Sequence, residues 1–164
     1  MAGFDRGAAE AKRFSYQRSP DWPKVEEAHR QREPTCACCK PGMDTGAAVQ
    51  VHHIFPFHYC IALGRPDLEL DERNLITLCE KDDASPSEDH HLLVGHLNLF
   101  QSANLKVVMD AKKTYHGSRE RQIKGSPLWE KEVHERLKPL DAMSADEKGA
   151  LRKLMDKTFP ERTP

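Results

Sequence analysis

The chain has 164 residues and a mass of 18.7 kDa, is 38% hydrophobic and 31% charged, and carries 11 prolines and 9 glycines, which implies one modest core with appended elements and abundant loop. No run approaches the roughly 20 apolar residues of a membrane span, and the opening MAGFDRGAAEAKRF lacks the apolar stretch of a secretory signal, so a cytoplasmic location is expected. A formal net charge of -1 excludes a global pull on nucleic acid, and any such contact must be local.

Residues 1–20 are polar and without sustained period, and a mobile arm is expected there. From Asp21, DWPKVEEAHRQRE offers a capping residue, an early proline and good helix formers, which predicts a short helix ending before Pro34. The five cysteines, Cys36, Cys38, Cys39, Cys60 and Cys79, are odd in number and clustered, favouring metal binding over a disulfide framework. Cys36 and Cys39 have the two-residue spacing that lets two thiolates grip one zinc ion, Cys79 can add a third, and a histidine from His90-His91 can complete a tetrahedral set. Cys38 leaves the grip of CACC open to more than one choice, whereas Cys60, in the apolar run FHYCIAL, reads as a buried small residue.

The β-branched run AAVQVHHIF at 47–55 predicts a strand, and NLITLC at 74–79 a second, paired as a hairpin across a long connection. His52 and His53 then point to opposite faces, which suits two jobs: one imidazole as a neutral metal ligand, the other as a proton acceptor. After the polar stretch KDDASPSED, the pattern HHLLVGHLNLF predicts a helix beginning at His90 or His91. The segment 106–124 sets six cations against Asp110 and Glu120, so it is either a phosphate-contact surface or a solvated helix and turn. Ser126-Pro127 opens a helix with Trp129, Val133 and Leu137 on one face, and Ser144 with Glu147 forms a capping box before Leu151, Leu154 and Met155.

The succession CACC, VHHIFPF, NLITLC and HH resembles the HNH endonuclease family over roughly residues 34–100. The resemblance implies an α+β fold with a ββα-metal core, a nuclease domain over 21–125 and a C-terminal helical extension over 126–164 packed on or beside it. It implies His52 and His91 as ligands of one catalytic divalent cation, Mg2+ or Mn2+, with His53 as general base and Asn74 orienting the loop after His53. Cys36, Cys39, Cys79 and His90 would hold a structural Zn2+. The implied partner is nucleic acid, DNA in the first instance, with no membrane.

The chain departs from the usual pattern of the family by its insertion after Cys79, so His90, His91 and His96 compete for the two metal sites. On an ideal helix, five-residue spacing turns His91 and His96 about 140° apart, and both could bind one ion only from an irregular helix start. Asp89 could join either site. His58, His116 and His134 are expected to be exposed, packed or phosphate-facing. A zinc-stapled nucleic-acid-binding module without turnover is the alternative in another functional class, and a hydrolase of small phosphoesters a third.

Overall fold

Two short runs rich in apolar and β-branched residues, AVQVHH and LITLCE, build the centre of the fold. In the computed structural model, which describes residues 16–43, 48–82 and 88–163, they form β1 (Ala48–His53) and β2 (Leu75–Glu80), paired antiparallel as a two-stranded sheet. The register sets Val49 opposite Cys79, His52 opposite Ile76 and His53 opposite Leu75. Successive strand residues point to opposite faces. His52 therefore shares a face with Ile76, Leu78 and Glu80, and His53 shares the other with Leu75, Thr77 and Cys79.

Both strands differ from expectation at their ends. Ile54 and Phe55 leave the sheet, and Ile54 N–H donates to the Asn74 carbonyl at 2.8 Å. Asn74 closes a 3-10 turn, Glu72–Asn74, before β2 begins. The connection between the strands holds more structure than was expected: α2 (Phe57–Ala62) follows Pro56, and a 3-10 turn, Pro66–Glu69, follows Arg65. Six residues are too few for a helical period to show.

The predicted N-terminal helix is α1 (Trp22–Arg32). Asp21 does not cap it as expected. Its backbone is already helical, at φ -83° and ψ -10°, and it makes no side-chain cap bond. Ser19 sits in that place, with its hydroxyl accepting from Asp21 N–H and its carbonyl from Trp22 N–H. Of the arm expected at 1–20, residues 1–15 lie outside the described residues. Residues 16–20 are seated on the body: Ser19 N–H donates to the Glu69 carboxylate at 3.0 Å, and the Arg18 guanidinium lies over the rings of Trp22 and Phe57. α1 covers the His53 face of the sheet through Trp22, Val51 and Leu75.

The helix predicted from His90 or His91 is a single π-helical turn, His91–Gly95. Its extension is stopped by Leu97 and Asn98, whose φ of 47° and 64° place them in the left-handed region that a right-handed helix cannot use. Leu97 holds this strained conformation while 3% exposed, with its carbonyl accepting from Arg136 Nη1 at 2.9 Å. Beyond it come α3 (Val107–Met109), which widens into a second π-helical stretch at Asp110–Thr114, then α4 (Glu120–Lys124), α5 (Pro127–Glu135) and α6 (Ala145–Thr158). The predicted caps of the last two are present: the Ser126 hydroxyl accepts from Trp129 N–H, and Ser144 and Glu147 cap each other reciprocally.

The architecture is α+β. Trp129 of α5 and Leu151 and Met155 of α6 lie in one apolar cluster with Phe55, Tyr59, Ile76, Leu78 and Leu93, so the described part of 126–164 shares the core of the hairpin. Among the described residues, no helix is long and apolar enough to cross a membrane.

Candidate metal centres

The segment after α1 turns back along β2, where Ala37 N–H donates to the Thr77 carbonyl at 2.9 Å and Thr77 Oγ1 to the Glu33 carbonyl at 2.7 Å. This brings Cys36 and Cys39 beside Cys79. His90, one residue before the π-helical turn, inserts Nδ1 among them, 3.6 Å from Cys36 Sγ, 3.3 Å from Cys39 Sγ and 3.1 Å from Cys79 Sγ. The four ligand atoms all lie within 4.8 Å of one another, and all four residues are buried. Such a Cys3His cluster could hold a metal such as zinc.

His90 Nε2 donates to the Ser118 carbonyl at 2.8 Å, which turns the Nδ1 lone pair toward the thiols, as a metal-ligating imidazole requires. Hydrogen bonds from Cys39 and Cys79 hold the Cys36 thiol far below its ordinary value, and the same contacts push Cys39 up.

The open choice within CACC is decided by direction. Cys38 turns away and its thiol donates to the Tyr115 carbonyl at 3.2 Å. Gly117, at φ +76°, donates its N–H to the Cys38 carbonyl at 2.8 Å, so the 115–118 turn clasps the cysteine knuckle and supplies the carbonyl for His90. Sequence reasoning missed this outer contact; its one local signal is the turn-forming HGS at 116–118. Cys60 is buried, donates to the Phe55 carbonyl at 3.3 Å, and burial pushes its thiol up.

A second cluster forms on the opposite face of the hairpin. His52 of β1 meets His91 and His96, and the three ligand atoms lie within 4.8 Å of one another. A π helix bonds residue i to i+5, so His91 and His96, five apart, stand one turn above each other with Nε2 atoms 3.2 Å apart. The irregular helix start that the spacing demanded is this turn. Gly95 lets it approach the sheet: a Cβ there would lie 3.1 Å from Leu78 Cδ1 and 3.2 Å from His52 Cε1.

Outer partners orient this second group as well. His96 Nδ1 donates to the Ser102 carbonyl at 2.6 Å, leaving its lone pair on Nε2, and His91 Nδ1 lies 3.6 Å from the Glu80 carboxylate. The Phe100 ring packs against His91 and His96, a contact the sequence did not suggest. His52 Nε2 is buried and has no hydrogen-bond partner among the described residues. Burial, reinforced by the neighbouring His96 and His91, holds His52 well below the ordinary imidazole range, so it is neutral and able to donate its lone pair. Three converging imidazoles, one of them a buried orphan, are a donor set that fits a divalent transition-metal ion.

His53 faces away from that cluster. Its Nε2 donates to the Glu69 carbonyl at 2.9 Å, which makes Nδ1 the basic nitrogen, and its ring stacks on Trp22 with centroids 4.6 Å apart. Asn74 is fully buried and binds the loop at both ends: Nδ2 donates to the carbonyls of Phe55 and Leu68, each at 3.0 Å, and Oδ1 accepts from Phe55 N–H at 2.8 Å. Leu68 adjoins Glu69. Asn74 thus fixes both the chain leaving His53 and the turn that receives its Nε2–H.

The remaining histidines differ. His58 is 3% exposed, whereas His116 is exposed with Nδ1 3.3 Å from the Ala37 carbonyl, and His134 is exposed. Asp89 is not a ligand in either cluster; it accepts from Leu92 N–H at 2.9 Å and so begins the π-helical turn. In the basic segment, Lys106 pairs with Glu132, Lys124 with Glu120 and Arg119 with Glu88, while Lys112, Lys113 and Arg121 are exposed. Neither a family model nor a curated protein nor a solved structure matches this chain.

Proposed function

We propose that the chain is a metal-dependent endonuclease of the HNH type, hydrolysing DNA phosphodiester bonds. The observation that carries this reading is the pairing of a three-imidazole cluster, His52, His91 and His96, with an adjacent histidine, His53, whose basic nitrogen is fixed by the Glu69 carbonyl. The order of hairpin and helical turn around that cluster is the order of the ββα-metal fold. The Cys3His cluster then acts as a structural zinc staple, and its thiolates suit a reducing compartment such as the cytoplasm.

Phosphodiester hydrolysis needs an activated water, charge neutralisation at the phosphoryl oxygens and support for the leaving oxygen. His53 Nδ1 takes a proton from the attacking water. Asn74 and the Glu69 carbonyl keep the ring in the tautomer that allows this. His52, His91 and His96 would hold a divalent cation there, and such an ion would supply charge neutralisation to the phosphodiester. Mg2+ or Mn2+ is the working ion expected of the family, but three imidazoles without a carboxylate suit Zn2+ or Ni2+ better. The exposed Lys112, Lys113 and Arg121 are the cations of the basic segment that can meet backbone phosphates.

One observation favours the second reading, a zinc-stapled binding module without turnover: His53 is 6% exposed beneath Trp22. The two part in one assay. Metal-stripped protein is incubated with supercoiled plasmid and Mg2+, Mn2+, Ni2+ or Zn2+, and wild type is compared with His53→Ala. Nicking by wild type and a loss of about 100-fold or more in the variant is expected, about 100-fold being the lower end of what a general base contributes. Equal nicking by both removes His53 from the chemistry. A gel shift without cutting by either establishes the binding module.

A further inference from the structure

Arg65 has no role in the site described above, yet its guanidinium is fully buried. It lies in the connection between His53 and Asn74, immediately before the 3-10 turn Pro66–Glu69, and its own carbonyl accepts from Leu68 N–H at 3.1 Å to start that turn. The turn ends at Glu69, whose carbonyl receives His53 Nε2–H, one residue after Leu68, whose carbonyl receives Asn74. Whatever fixes Arg65 therefore fixes the carbonyl that orients His53.

The partners of Arg65 come from two sources. Within the turn, Nε and Nη2 form a fork on Asp67 at 3.0 and 2.8 Å. From the far end of the chain, Asp156 of α6 accepts from Nη1 at 2.8 Å and the Phe159 carbonyl accepts from Nη2 at 2.9 Å. The same C-terminal stretch grips the connection at further points. Arg152 Nη1 donates to the Leu63 carbonyl at 2.8 Å, the Pro160 carbonyl accepts from Arg73 Nη2 at 3.1 Å, and the Phe159 ring meets Phe55 edge-on at 5.8 Å. Phe55 is the residue whose backbone Asn74 holds.

We propose that Arg65 is a positioning residue for His53, and that Asp156 and the Phe159 carbonyl act through it to hold the base histidine in one orientation and one tautomer. This rests on the reading of His53 as general base but can be tested apart from it. Lysine cannot reproduce the planar fork on Asp67 together with bonds to Asp156 and the Phe159 carbonyl. The turn then loses its anchor while the charge is kept.

The test reads the ring nitrogens of His53 by 15N NMR in zinc-loaded full-length protein. Wild type should show a single Nε2–H tautomer. Arg65→Lys and Asp156→Ala should each show mixed tautomers, whereas Val133→Ala, a packing variant on α5, should lower the melting temperature and keep the single tautomer. An unchanged His53 spectrum in Arg65→Lys overturns the proposal, as does equal mixing in Val133→Ala. Plasmid nicking is the second arm: kcat should fall roughly 100-fold with KM unchanged, the order expected for a misplacement of about 1 Å. If wild type nicks nothing, the endonuclease reading fails while the tautomer measurement still decides the role of Arg65.

Discussion

Replacing Asn74 with alanine tests whether the middle of the site is held by one side chain. Asn74 is fully buried and makes three side-chain hydrogen bonds, to Phe55 N–H, the Phe55 carbonyl and the Leu68 carbonyl. The Phe55 carbonyl keeps the Cys60 thiol at 3.3 Å, so the penalty falls on Phe55 N–H and the Leu68 carbonyl. A buried polar group left without a partner costs about 1–3 kcal/mol, and two of them about 2–6 kcal/mol. We expect a loss of about 3 kcal/mol, a large share of the roughly 5–15 kcal/mol that holds a domain together. The melting temperature should then fall by about 6–12 °C for a chain of this size. Asn74→Asp keeps an acceptor for Phe55 N–H but loses both donors and sets a carboxylate against two carbonyls, so it should be no milder. Urea unfolding of zinc-loaded protein followed by circular dichroism measures both. A loss below about 1 kcal/mol for Asn74→Ala, with an unchanged m value, would refute the clamp.

Two further outcomes follow from the clusters. Wild-type protein should bind zinc tightly through Cys36, Cys39, Cys79 and His90; Cys39→Ser should lose that zinc by elemental analysis, while Cys38→Ser and Cys60→Ser keep it, and retention by Cys39→Ser would sink the assignment. In protein stripped of metal by a chelator, stability should fall as pH drops below about 6.5, because the unfolded His52 protonates near that value while burial keeps the folded imidazole neutral to far lower pH. The unfolded state then binds more protons, so His52 contributes a slope of about 1.4 kcal/mol per pH unit, its stabilisation being complete above the unfolded pKa and lost toward the folded one. His29, also lowered chiefly by burial, adds in the same direction. Urea midpoints between pH 7.5 and 5.0 should steepen accordingly in wild type and flatten in His52→Gln; equal slopes would show that the folded His52 titrates normally.

The parts of the site legible in the sequence are those set by local rules. Strand alternation alone sends His52 and His53 to opposite faces, and two-residue cysteine spacing with Cys79 at the end of β2 marks the thiol cluster. The positions that needed three dimensions are those where a backbone departs from its regular form. His96 could not be assigned from spacing, because an ideal helix turns it away from His91 and only a π turn brings their Nε2 atoms to 3.2 Å. That turn depends on Gly95 against His52 and on the left-handed Leu97, features that no periodicity reveals. Arg65 was likewise invisible, since its partners Asp156 and Phe159 lie some ninety positions away in sequence. In the basic segment, composition left a phosphate surface and a solvated helix and turn both open, and Lys106, Arg119 and Lys124 pair with carboxylates within the protein.

A two-stranded sheet is marginal by itself in water, yet this one carries candidate sites on both faces. The hairpin meets that demand by being fastened at each end. At one end Cys79, the penultimate residue of β2, joins Cys36, Cys39 and His90, so a metal bound there would tie the chain before β1 to the residue that opens the π-helical turn. His90 and His91 are neighbours, and fixing the first into the thiol cluster directs the second to the opposite face, beside His52 and His96. At the other end Asn74, the Pro66–Glu69 turn and the C-terminal residues around Arg65 hold the chain leaving His53. The adjacent pairs His52-His53 and His90-His91 thus work alike: each divides between two environments, and the division is imposed on one by strand geometry and on the other by the cysteine cluster.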